Sequence, residues 1–283
     1  MAASPVQFPV PRSADSSLPP RASAAGAPVS PPAVGDAIRP AKPRGVTLRD
    51  AVRDTGASSG PDRRSALVTA LLARVPAADR AAAKTAIPAI LDAAQKVGST
   101  DPNRIGYLLA TAQTESDFGA NMTEGGHSKE WFNANYGGED GNRPGTNDGY
   151  AYRGRGYVQT TRVGRYAELS RALGLPDVTT GERGKTKVEP ALVANPERLA
   201  QPELAAKALV VGVQENLFTH NPGARLDATI PTGRNPGAVD FYHARGIVNG
   251  IVKDQAEAIA RHATAYARVL AGYRHSVLDP GQK

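Results

Sequence analysis

Glu115 and Glu124 are the residues of this chain best spaced to do chemistry together. Further along the chain, the segment YAYRGRGYVQTTRVGRY (150–166) carries three glycines, four arginines and four tyrosines around Gln159, Thr160 and Thr161. Tyrosine rings, guanidinium groups, amides and hydroxyls on a glycine-bent hairpin suit a surface rich in hydroxyl and amide groups, such as a polysaccharide. Tyr152 and Arg155 are read with Gln159, Thr160 and Thr161 as its substrate-facing side chains. A sugar-binding hairpin beside paired carboxylates suggests glycoside cleavage, in which one carboxylic acid protonates the leaving oxygen and a second carboxylate acts across the scissile bond.

Glu115 is placed by a helix. Asp101 and Pro102 form an N-cap and first-turn pair opening NRIGYLLATAQTES, with an apolar stripe through Ile105, Leu108, Leu109 and Ala112. Glu115 continues that stripe near the helix end, where desolvation and the negative dipole end both favour a protonated carboxyl. A general acid needs that form. Gly119 is expected to end the helix. For the second carboxylate, Asp117, Glu124, Glu130, Glu139 and Asp140 are available, and a short reversal after Gly119 favours Glu124.

The supporting elements follow from periodicity. PDRRSALVTALLARV, AADRAAAKTAIPAILDAAQKVG, the region 165–173, PELAAKALVVGVQENLF and VKDQAEAIARHATAYARVLAGY read as helices. Pro88 is expected to kink or split the second. Residues 121–161, rich in Gly, Asn, Asp and aromatics, read as turns and short hairpins, and about 177–189 as a polar loop. Trp131 and Phe132 in that region are expected to fill core, with lining of a sugar subsite as the alternative. The fold class is α+β: a mostly helical domain over 61–283 with a small β-hairpin region. Before it, residues 1–60 are dense in Pro, Ala, Ser and Gly and read as a disordered tail or tether.

Composition narrows the function classes. The 283 residues contain no cysteine, which excludes disulfides, thiolate zinc sites and cysteine nucleophiles. The five histidines lack metal-ligand spacing, so no metal and no cofactor is expected. The formal charge of +7 is spread without a Lys/Arg block of the nucleic-acid type, so no nucleic-acid partner is expected. The charge would suit anionic lipid or an acidic cell-wall polymer and by itself selects neither. No apolar run reaches the roughly 20 residues of a membrane span, and no standard secretory signal opens the chain. The expectation is a soluble protein made in the cytoplasm without stable membrane insertion.

The combination TAQTESDFG…MTEGG, YRGRGYVQTTRVGRY, ALVANPERLAQPELAAKAL and RGIVNG resembles the family-19 glycoside hydrolases, the chitinases and bacteriophage-type endolysins. The resemblance covers about 105–250, and its most specific element is the Gly-Arg-Gly segment ending in Gln159. It implies a lysozyme-like fold, Glu115 as general acid, and Glu124 as the base of an inverting hydrolysis. It also implies substrate contacts from Gln159, from Thr160 or Thr161, and from Asn249. The implied activity is cleavage of β-1,4 links between amino sugars, in peptidoglycan by preference over chitin. It would act at the bacterial cell wall or periplasm, reached by phage lysis, a phage particle or specialised secretion, with a possible delivery partner for the tail. A chitinase, a lytic transglycosylase and a non-catalytic wall-binding or virion protein are the alternatives. Thr114 stands where the family has His, Thr160 where it has Leu or Ile, and Arg245 is one step out of register and receives no role.

Overall fold

The structure, a computed structural model, describes residues 60–181 and 186–273. These fall within one compact unit, Ser58–Lys283. The tail read over 1–60 lies outside the described residues except for Gly60.

Helix α1 (Gly60–Leu72) and helix α2 (Arg80–Lys96) open the fold. α2 runs unbroken through Pro88, correcting the expected split. One helical hydrogen bond is lost there, but Ile87, Ile90 and Leu91 bury their side chains around it, and the packing holds the helix through the gap. Helix α3 (Pro102–Ser116) is capped as expected: the Asp101 side chain accepts from the backbone N–H of Asn103 at 2.9 Å and of Arg104 at 3.2 Å.

Short helices α4 (Lys129–Tyr136) and α5 (Asp148–Ala151) and the longer α6 (Val163–Ala172) follow. Strands β1 (Val178–Thr180) and β2 (Lys187–Glu189) then pair antiparallel, with Thr179 opposite Val188. The β-structure is therefore displaced from its expected place. The region read as hairpins keeps only single bridges, Thr123 to Arg155 and Arg155 to Thr160, whereas the predicted polar loop holds the sheet. Glycines at 154 and 156 and a left-handed Gln159 (φ +51°) bend 150–166 too often for a continuous ladder. Helices α7 (Ala191–Ala194), α8 (Pro202–Gln214), α9 (Leu226–Thr229), α10 (Phe241–Ala244) and α11 (Lys253–Tyr273) complete a mostly helical α+β fold.

The core is organised by α3 lying along α11. Gly106 permits their close approach: a Cβ there would lie 2.8 Å from the Ala263 carbonyl oxygen and 2.9 Å from the Ala267 nitrogen. Both obstacles are backbone, so neither can rotate away. Buried Ala263, Ala267 and Leu270 complete the seam, and the Tyr266 hydroxyl donates to Gln113 Oε1 at 2.6 Å. Gly106→Ala gains about 1 kcal/mol of helix propensity, yet the collision outweighs it. A net loss of about 1–3 kcal/mol is expected, seen by circular dichroism as a Tm lower by about 3–10 °C. An unchanged Tm would mean that the two helices can part without cost. α2 packs on α8, and Tyr166, Leu169, Leu192, Leu199 and Leu204 form a second apolar cluster under α6.

Candidate active site

The end of α3 fixes Glu115. Its last turn is followed by three residues in the left-handed region, Asp117 (φ +50°), Phe118 (φ +57°) and Gly119 (φ +89°). The helix thus ends at Ser116, where the expected segment ends, and Gly119 closes the turn that follows. Left-handed backbone at non-glycine residues costs on the order of 1–3 kcal/mol each. Here burial of Phe118, edge-on to Tyr266 at 6.3 Å, holds it in place. The turn reverses the chain, so that 122–124 runs beside 154–156: Gly156 N–H donates to Met122 O at 2.9 Å and Glu124 N–H to Gly154 O at 2.8 Å. Ser116 Oγ lies 3.1 Å from the Tyr157 carbonyl, joining the residue after Glu115 to the same segment.

Glu115 is not the dry, apolar-walled acid expected from its stripe. Its side chain is only 11% exposed, but its carboxylate is paired with the Arg245 guanidinium, itself 2% exposed. Arg245 stands in the 3₁₀ turn Arg245–Ile247 after α10, and a second nitrogen of it donates to Gln255 Oε1 at 2.5 Å. Tyr107, whose hydroxyl donates to Ala244 O at 2.8 Å, pins that turn to α3. Burial pulls the Arg245 guanidinium below its ordinary range, and Nε is buried without a partner. A guanidinium this deep requires a counter-ion, and Glu115 is the one in contact. Sequence reasoning missed Arg245. An arginine in an otherwise apolar stretch, ARGIV, was the available signal.

Glu124 has a different setting. Oε1 accepts from the Tyr136 hydroxyl at 2.7 Å and Oε2 from the Gly154 N–H at 2.9 Å. Burial first, and then the adjacent Glu124 carboxylate, push the Tyr136 phenol up, so it remains a proton donor in this contact. Gln159 approaches from the other side: a Cβ built on Gly154 would lie 2.8 Å from Gln159 Oε1 and 3.0 Å from Glu124 Oε2. Gly154 is therefore the residue that lets Glu124 and Gln159 converge. Gln159 Nε2 donates to Asn121 O at 2.8 Å and to Gly156 O at 3.0 Å, which sets the orientation of its amide.

The other residues expected to contact substrate stand in differing settings. Arg155 is wholly buried and forms a two-point pair with Glu197, while Nη1 donates to Ala151 O at 2.7 Å and to the Tyr166 hydroxyl at 3.0 Å. With its nitrogens so engaged it braces 150–166 from within. Tyr152 does likewise, donating to Val193 O at 3.1 Å and packing edge-on to Tyr166. Thr160 is buried, with Oγ1 unpartnered; Thr161 is half-buried, and its Oγ1 accepts from Arg162 at 3.3 Å. Asn249 is exposed and its Oδ1 accepts from the Gly250 N–H at 2.8 Å.

Of the residues read as functional, the structure brings together Glu124 and Gln159. Among the described residues no hydrogen bond joins either to Glu115, Asn249 or Thr161. Rival carboxylates have other partners, Glu139 with Arg162 and Asp140 with Arg165. No group of three His, Cys, Asp or Glu among the described residues could hold a metal ion, and no helix among them is long and apolar enough to cross a membrane. No protein-family model matches this chain, and no curated protein matches it.

Proposed function

We propose that this chain is a glycosidase of lysozyme-like fold that cleaves β-1,4 links between amino sugars in peptidoglycan. The observation that carries the reading is the reversal at 117–119. It ties a nearly buried glutamate at a helix end to a segment on which a second glutamate and a glutamine amide converge. Glu115 is the acid and Glu124 the base that activates water. An inverting pair stands about 6.5–9.5 Å apart, leaving room for that water. Gln159 would hold an amide or hydroxyl of the sugar. For Glu115 to give up a proton it must first hold one, so the reading requires that substrate loosen the Arg245 contact. Action at the bacterial wall, reached by phage lysis, a phage particle or specialised secretion, follows from this substrate.

The Arg245 pair also favours a second reading, a wall-binding protein whose scaffold keeps Glu115 as a structural counter-ion. A turbidity and product-mass assay on purified peptidoglycan beside chitin oligomers separates the alternatives. The expected products from peptidoglycan carry one added water, and Glu124→Gln is expected to slow their release about 10²–10⁴-fold. Anhydro-sugar products with Glu124→Gln still active would identify a lytic transglycosylase. Cleavage of chitin alone would replace the substrate, and binding without cleavage would leave the second reading.

A further inference from the structure

The aromatic cluster beside Glu124 has one ring that packing does not account for. Of the neighbours expected to fill core, Phe132 does so, at 1% exposed. Trp131 does not: it stays partly exposed in the first turn of α4. Its face is stacked on the His127 imidazole, with ring centres 3.8 Å apart and planes within 14°. Phe132 meets it edge-on at 5.4 Å and Tyr136 at 6.1 Å. Tyr136 is the residue whose hydroxyl holds Glu124. The indole and the carboxylate are thus neighbours of one phenol.

His127 is exposed and follows Gly125 and Gly126, around which the structure leaves open space: a Cβ built on either would have no atom within 4 Å. Gly126 has φ +84°. The imidazole therefore rests on the indole, with Phe132 edge-on to it at 6.0 Å, from a segment with open space around its two glycines, and a flat ring of similar size can take its place. A pyranose presents such a ring, with an apolar C–H face, and binding sites commonly combine an aromatic face with a few directed polar groups. Accepting the glycosidase reading above, we infer that Trp131 is a stacking platform for a pyranose ring of the amino-sugar chain, and that His127 covers the platform until the sugar displaces it. The glycan then runs from Trp131 past Tyr136 to Glu124.

Trp131 is the single tryptophan of the chain, so indole emission reports on this platform alone. Chitin oligomers and solubilised peptidoglycan glycan strands, titrated into the full-length protein, are expected to change that emission saturably over the range in which strands are cleaved. Trp131→Ala is expected to raise KM about tenfold with kcat nearly unchanged, because stacking remote from the reacting atoms holds substrate and transition state alike. Trp131→Phe, which keeps an aromatic face, should recover most of the loss, and His127→Ala should bind glycan at least as well as the parent. Emission that stays constant while strands are cleaved, or Trp131→Ala with unaltered KM, would overturn the platform and leave the glycosidase reading intact. Saturable emission change without cleavage would keep the platform and remove the glycosidase. Neither signal with either glycan would overturn both.

Discussion

Replacing Glu115 by glutamine should abolish cell-wall cleavage, with turnover falling about 10²–10⁴-fold, while the protein still folds. The exchange preserves shape and keeps an oxygen that can accept from Arg245, but it removes the only proton the proposed reaction can pass to the leaving oxygen. Release of soluble glycan from purified peptidoglycan, measured beside a thermal melt, checks both halves. The controlling comparison is with the ion pair itself. If Glu115 serves only as counter-ion to Arg245, the glutamine variant loses Tm and binds wall as before, with no activity to lose. If it is the acid, the larger effect is on rate. An active glutamine variant would move the chemistry away from α3 altogether.

Arg245→Met should be nearly as damaging, for a different reason. The guanidinium is 2% exposed and the Glu115 carboxylate 11% exposed. Removing one member of a buried pair strands the other, at a cost of about 3–5 kcal/mol. For a domain of this size that is a fall in Tm of roughly 6–20 °C. Methionine fills much of the volume, so the loss reports charge more than cavity. A carboxyl that loses its cation keeps its proton to higher pH. Whatever activity remains should therefore extend further into the alkaline range than that of the parent, as read from a pH–rate profile. Loss of Tm combined with an unmoved profile would make Arg245 structural only. The double variant with Glu115→Gln should recover part of the lost Tm, since no stranded charge remains.

The helical elements were legible because their signals are local. Asp101-Pro102 announces a capped start, and the stripe through Ile105, Leu108 and Ala112 announces the buried face of α3. The placement of Glu115 on that stripe was legible for the same reason. Its partner was not, because Arg245 lies 130 residues away and the pair exists only in the folded chain. Arg155 misled in the opposite sense. Arginine in a glycine-rich segment reads as exposed and available, whereas five hydrogen bonds, three to Ala151, Arg153 and Tyr166 of its own segment and two to the distant Glu197, draw it inside. The small sheet was misplaced because alternating glycines imitate a hairpin while preventing one. Strands of three residues, β1 and β2, are too short for any alternation to be read.

The seam between α3 and α11 has a consequence for how the protein is made. The helix that carries Glu115 finds its main packing partner almost 150 residues later in synthesis. At 5–20 residues per second, the ribosome takes roughly 7–30 s to cover that distance. Until α11 is made Gly106 faces no neighbour, and Arg245 is added only shortly before that helix begins. Until then the nascent chain holds an apolar helix without its cover and a glutamate without its arginine. The Glu115–Arg245 pair is therefore completed, and Gln255 brought to Arg245, only late in synthesis.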